Sequence, residues 1–150
     1  MIIIRRAWKK DLPELTGLLM ELFSIEKDFR FDSRKQRMGL LLLLKRRTEA
    51  VIIVATEKGS LTGMATGQLV VSTAAGAYSV LVEDVVVRPE FRKMGIGKKL
   101  LERIESWGVS KGAKRMQLVA DKNNITAAGF YMKNGWSESS MIGFYKTISG

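Results

Sequence analysis

The alternation of apolar and polar residues divides the chain into short, well-marked segments. Ile2–Arg6 reads as a first strand. Leu12, Leu15, Leu19 and Leu22 then recur at helical spacing behind Asp11, with Glu14 three residues on as a capping box. A second helix is expected from near Ser33, with Gln36 completing a similar box, to about Arg47. Its leucine run, Leu40–Leu44, is too broad for one stripe and predicts cover on two sides. Val51–Thr56 is β-branched and predicts a strand, Lys58–Gly59 a turn, and Gly63–Thr73 the partner strand. After a turn at Gly76, Tyr78–Val87 is the longest strand candidate, ended by Arg88–Pro89.

Gly97–Lys111 predicts an amphipathic helix, with Ile96, Leu100, Leu101, Ile104 and Trp107 inward and Gly112 just past its end. Arg115–Ala120 predicts a strand, Asn124–Asn134 a helix and Trp136–Ile148 a last strand. The order β-α-α-β-β-β-α-β-α-β combines an antiparallel meander with a β-α-β-α-β half that favours parallel strands. The expected fold class is mixed α/β, one sheet flanked by helices.

Composition removes whole classes of chemistry. There is no cysteine and no histidine. Disulfides, thiolate metal sites, Cys nucleophiles and Ser-His-Asp arrangements are therefore excluded, no metal is expected, and a general base must be a carboxylate, Lys, Tyr or relayed water. Met1–Ile4 is apolar, but Arg5 and Arg6 end the run, unlike a signal peptide. Leu40–Leu44 is far shorter than the ~20 residues of a membrane span. A cytoplasmic protein with no membrane association is expected. Lys and Arg number 25 against 15 Asp and Glu, a net charge of +10. That excess points to an anionic partner, either nucleic acid or a phosphorylated cofactor, or to a solvated basic surface.

The segment from Val85 to Lys98 passes from strand through turn to helix, with Gly95 and Gly97 opening the helix. Glycines there let a ligand approach the backbone, and a helix N-terminus offers free N–H groups and partial positive charge. Arg92, Lys93, Lys98 and Lys99 crowd this end. Cations in that position are unfavourable by about 0.3–1 kcal/mol each, and a bound anion reverses the sign. By itself the pattern is also ordinary turn chemistry, and it is neither a dinucleotide fingerprint nor a P-loop.

Two motifs extend the reading. Arg92-x-x-Gly95-x-Gly97 after a Val-rich strand resembles the Q/R-x-x-G-x-G/A motif of the GNAT N-acetyltransferase superfamily. Asn124-Ile125-Thr126-Ala127-Ala128-Gly129-Phe130-Tyr131-Met132-Lys133-Asn134-Gly135-Trp136 resembles its N-x-x-A-x-x-x-Y-x-K-x-G-F segment, with Trp136 in place of Phe. The resemblance covers nearly the whole chain. It implies a single acetyltransferase domain over residues 1–150, with about six to seven strands and about four helices around a mixed sheet. It also implies acetyl-CoA as co-substrate. The pyrophosphate would lie on the N–H groups of Lys93, Met94, Gly95, Ile96, Gly97 and Lys98 beside Arg92. The pantetheine would run along Val85, Val86 and Val87 as an added strand.

Acetyl transfer to an amine requires a base, a held amine, an oxyanion donor and a proton for the leaving thiolate. Backbone N–H groups near Val85–Val87 are implied as the oxyanion donors. Glu83 and Asp84 are adjacent, so strict alternation would put them on opposite faces and leave Glu83 with Val85 and Val87. Glu83 is thus the candidate base or water-relay residue, with pairing to a cation as the alternative and Asp84 the weaker candidate. Asn124 is a good N-cap, and the resemblance adds a cofactor contact. Tyr131 suits a core aromatic, and the resemblance adds a role as acid toward the thiolate. Ser24–Asp32, with Glu26, Asp28, Phe29, Phe31 and Asp32, is expected either to wall the acceptor cleft or to be a solvated loop.

The expected function is acetylation of a primary amine, either a small molecule or a peptide amino group. The competing class is a non-catalytic acyl-CoA sensor or a basic binding module on the same fold. Nucleic acid is not expected, because the aromatics do not interleave with basic clusters. The family resemblance admits a homodimer.

Overall fold

The structure, a computed structural model, describes residues 1–26 and 30–148. The chain separates into two compact units, residues 1–118 and 119–150. The first holds five strands: β1 (Ile2–Arg6), β2 (Ala50–Glu57), β3 (Ser60–Ser72), β4 (Ala77–Val87) and β5 (Ala113–Gln117). It also holds α1 (Leu12–Ile25), α2 (Ser33–Lys45) and α3 (Ile96–Ser110). The strands form one sheet in the order β1-β2-β3-β4-β5. The first four pair antiparallel and β5 joins β4 in parallel, so the sheet is mixed as expected.

β2 is buried along nearly its whole length, which suits its near-continuous β-branched run. One core cluster gathers Leu12, Leu15, Leu18 and Leu19 of α1, Leu40 of α2, Ile52 and Val54 of β2, Leu61 and Met64 of β3 and Val86 of β4. α3 buries Ile96, Leu100, Leu101 and Ile104. It lies so close to the sheet that a Cβ on Gly108 would come within 2.6 Å of the Val80 side chain.

Several local expectations change. Asp11 does not cap α1. Its carboxylate accepts from both terminal nitrogens of Arg5, at 2.8 and 3.0 Å, and from the Trp8 N–H at 2.7 Å. Glu14 does not close a capping box either, because its carboxylate accepts from the Leu61 N–H of β3 at 2.9 Å. Long-range partners outcompete the local ones at this helix end. The α2 cap lies one residue earlier than expected: Asp32 accepts from the Arg34 N–H, while Gln36 accepts from the Asp32 N–H. α2 is covered on one side only. Leu40 is buried, Leu41, Leu43 and Leu44 pack partly against the core, and Leu42 is exposed.

The second unit contains α4 (Ile125–Lys133). The strand expected at Trp136–Ile148 does not form, and none of the described residues from 136 to 148 is in a helix or strand. The Ser137–Ser140 run and Gly143 have low strand propensity, and the described residues of that unit hold no other strand to pair with. The described sheet therefore has five strands, fewer than the six to seven expected.

Candidate active site

β4 carries the geometry that matters. Opposite β3, Thr66 pairs with Glu83 and Met64 with Val86, so Asp84 and Val85 together face the single residue Ala65. This is a β-bulge, and Asp84 takes it up with φ of 55°. Positive φ is uncommon for residues with a Cβ, and Asp is among the types that tolerate it best. The strict alternation used to sort Glu83 from Asp84 does not hold across this bulge.

Glu83 is exposed and Asp84 is half-buried. Desolvation is the main cause that pushes the Asp84 carboxyl up to about 6, helped by the negative charges of Glu83 and Glu26. The Thr66 hydroxyl opposes that shift. It lies 2.9 Å from the Glu83 carbonyl oxygen and 3.4 Å from Asp84 Oδ2. Glu26 follows the last residue of α1, so the end of that helix brings a second acid toward β4. Of the proposed acceptor wall, Phe31 is partly exposed and Asp32 caps α2, while Asp28 and Phe29 lie outside the described residues.

The other edge of β4 is open along its second half. β5 pairs only with Tyr78–Leu81. Past Leu81 no described strand lies on that side, so the outward amides of Val82–Val87 lack a ladder partner. An extended ligand can add there as a strand does.

β4 then leads directly into the glycine turn. Arg88 fixes the strand end: its N–H donates to the Thr62 carbonyl at 2.8 Å, its Nε to the Leu61 carbonyl at 2.9 Å, and its Nη1 to Glu21 of α1 at 2.8 Å. Pro89–Phe91 form a single 3-10 turn, and the Arg92 Nε folds back onto the Val87 carbonyl at 3.1 Å. Lys93 has φ of 63° and Gly95 φ of 78°, with Met94 at negative φ between them. Such alternation of backbone hand curls successive N–H groups into a concave, anion-seeking nest.

Gly95 is the N-cap of α3 and makes no side-chain capping bond. The N–H groups at this helix start thus have no internal acceptor and no cap. A Cβ on Gly95 would meet nothing within 4 Å, so the space over the turn is open. Lys98 and Lys99 sit in a first turn that contains no acid. The residues present fit a diphosphate lying on this turn.

Glu83, Val85–Val87 and Arg92–Lys98 are thus joined in one strand–turn–helix of the first unit. Asn124 and Tyr131 belong to the second. There Asn124 caps α4, its Oδ1 accepting from the Ala127 N–H at 3.0 Å. The Tyr131 ring meets Phe130 and Trp136 edge-on, with centroids 5.3 and 5.7 Å away. Sequence reasoning missed Arg88 and the bulge. The only local signal for the bulge was an Asp, a residue type that tolerates left-handed backbone, inside a Val-rich strand.

The family model described as Acetyltransferase (GNAT) family matches residues 13–136. The aminoglycoside N(6')-acetyltransferase type 1 of Salmonella typhimurium is 28% identical over 67 residues, 45% of this chain and 46% of that protein. The chain thus spans about half the length of that relative. An uncharacterized N-acetyltransferase of Bacillus subtilis is 27% identical over 140 residues, covering 91% of each chain. Among solved structures, the aminoglycoside N-acetyltransferase AAC(6')-Iy in complex with CoA superposes with a TM-score of 0.85 at 21% identity, covering 98% of this chain and 95% of that one. Glucosamine-6-phosphate N-acetyltransferase of Arabidopsis thaliana superposes at 0.78 with 22% identity, covering 99% of each chain. At these identities the two structures establish likeness of fold.

Proposed function

The chain belongs to the acetyltransferase (GNAT) family, and from that premise we propose that it moves an acetyl group from acetyl-CoA to a primary amine in the cytoplasm, with residues 1–150 acting as one domain. The observation that carries the proposal is the unpaired edge of β4 at Val82–Val87 running into the nest at Lys93–Gly95 and the uncapped start of α3. A pantetheine arm suits the first and a pyrophosphate the second.

In this reading the amine nitrogen attacks the thioester carbonyl carbon and the C–S bond breaks. Amides at Val85–Val87 stabilise the oxyanion. The ammonium first gives up a proton, and Glu83 and Asp84 act together in removing it. Exposed Glu83 meets the incoming cation, and Asp84, at about 6, is ionised at neutral pH and basic enough to draw the proton on. Tyr131 returns a proton to the leaving sulfur, and Asn124 contacts the pantetheine. The acidic groups Glu26, Glu83 and Asp84 favour a cationic acceptor. The names of relatives such as the aminoglycoside N(6')-acetyltransferase put multi-amine small molecules first among candidates.

The test is thiol release from acetyl-CoA across aminoglycosides, polyamines, amino sugars, amino acids and peptides. Amine-dependent release with at least one class supports the proposal. CoA binding without release for any amine would turn the reading to a sensor.

A further inference from the structure

At the opposite end of α1 from Glu26 lies an open cleft of about 530 Å³, between the first turns of α1 and α2. Lys9, Lys10, Arg34 and Arg37 line it. Among the described residues no carboxylate lines it, and none of the four cations is in an ion pair. The acids adjacent in sequence are already engaged. Asp11 is held by Arg5 and the Trp8 N–H, and Asp32 accepts from the Arg34 N–H.

Lys10 Nζ lies over the Trp8 ring, 4.4 Å from its centroid, and interacts electrostatically with Asp11. The four cations around one concavity still repel each other and raise the local potential that an anion feels. The ends of both helices that border the cleft carry partial charge of the same sign, and the first turn of α2 contains no acid. Nothing in the proposed acetyl transfer uses this charge. Thr16 lines the cleft while Glu26, the residue whose charge reaches Asp84, lies past the other end of the same helix. Roughly ten helical residues separate them, or roughly 15 Å.

We propose that this cleft binds a small anion bearing adjacent phosphate groups, at a site separate from acetyl transfer. Two guanidinium groups and two ammonium groups match such a ligand in charge. Arg34 and Arg37 offer the forked donors that grip phosphate oxygens in pairs. The phosphates can be inorganic or part of a nucleotide.

The experiment is calorimetric titration of inorganic pyrophosphate into protein saturated with CoA, so that the turn at α3 is occupied. One further site is expected. Arg34→Gln with Arg37→Gln should weaken it at least tenfold, with CoA affinity and thermal midpoint unchanged. Lys9→Gln with Lys10→Gln should weaken it from the other helix. Lys45→Gln with Lys114→Gln removes the same charge elsewhere and should leave it intact. Adenosine triphosphate competing with pyrophosphate would assign the site to nucleotides, and its failure to compete would assign it to inorganic anions. Absence of a second site, or equal weakening by all three double variants, would overturn the proposal. So would tighter binding of single-stranded RNA that pyrophosphate does not displace.

Discussion

The Thr66 hydroxyl lies 3.4 Å from the Asp84 carboxylate, across the bulge that sets Asp84 at positive φ. This contact lowers the pKa of an acid that burial and two neighbouring acids raise. Asp84 is thereby poised near neutrality, beside the half of β4 that has an open edge.

Asp84→Asn should separate function from stability. A carboxyl raised from 3.8 to about 6 binds its proton more tightly in the folded state than in the unfolded one. Its contribution to stability is therefore present at low pH and lost between pH 4 and 6 as the half-buried charge forms. Asparagine carries no charge, so the variant should be more stable than the parent at pH 7, by up to about 3 kcal/mol at about 1.36 kcal/mol per unit. Turnover should fall about 10²–10⁴-fold and lose its rise through pH 6. Denaturant melts at pH 4 and 7 and a pH–rate profile check both.

Thr66→Val keeps the shape and removes the hydroxyl. Losing the stabilising contact should move the acid limb of the pH–rate profile to higher pH. A limb that stays in place or moves down would remove Thr66 from the proton path. Glu83→Gln, in parallel, should slow turnover most at low pH and leave the CoA dissociation constant nearly unchanged.

The strands and helices of unit 1, the antiparallel β2-β3-β4 meander and the parallel direction of β5 were legible in the sequence, because apolar periodicity and Gly/Pro punctuation are local signals, but the direction of β1 was not. The glycine turn was legible for the same reason. The bulge was not, since one extra residue in β4 is defined only by its register against β3. Nor was the loss of the Asp11–Glu14 box, because the competing partners, Arg5 and the Leu61 N–H, lie outside the helix. Trp136–Ile148 read as a strand by composition, but a strand exists only through its neighbour.

Arg88→Met should test whether α1 anchors the end of β4. The Arg88–Glu21 pair is partly buried on both sides, and the second Glu21 oxygen, Oε2, is buried without a hydrogen bond. Removing Arg88 leaves that carboxylate without its cation and should destabilise the fold by about 1–3 kcal/mol. Adding Glu21→Gln should recover part of the loss, which thermal melts of the single and double variants will show.

Tyr131→Phe retains the ring contacts with Phe130 and Trp136 and removes only the hydroxyl. Turnover should fall about tenfold to a thousandfold with little change in cofactor affinity. Normal turnover would make Tyr131 a packing residue of the second unit.

The most direct test is calorimetry of CoA with the parent protein and with Gly95→Ala. Left-handed backbone at φ of 78° costs an alanine about 1–2 kcal/mol, and its Cβ would project into the open space over the turn. The parent should bind CoA one to one, and the folded variant should bind it at least tenfold more weakly. A folded parent that takes up no CoA at millimolar concentration, or a variant with unchanged affinity, would contradict the assignment of β4 and the α3 turn as the acetyl-CoA site.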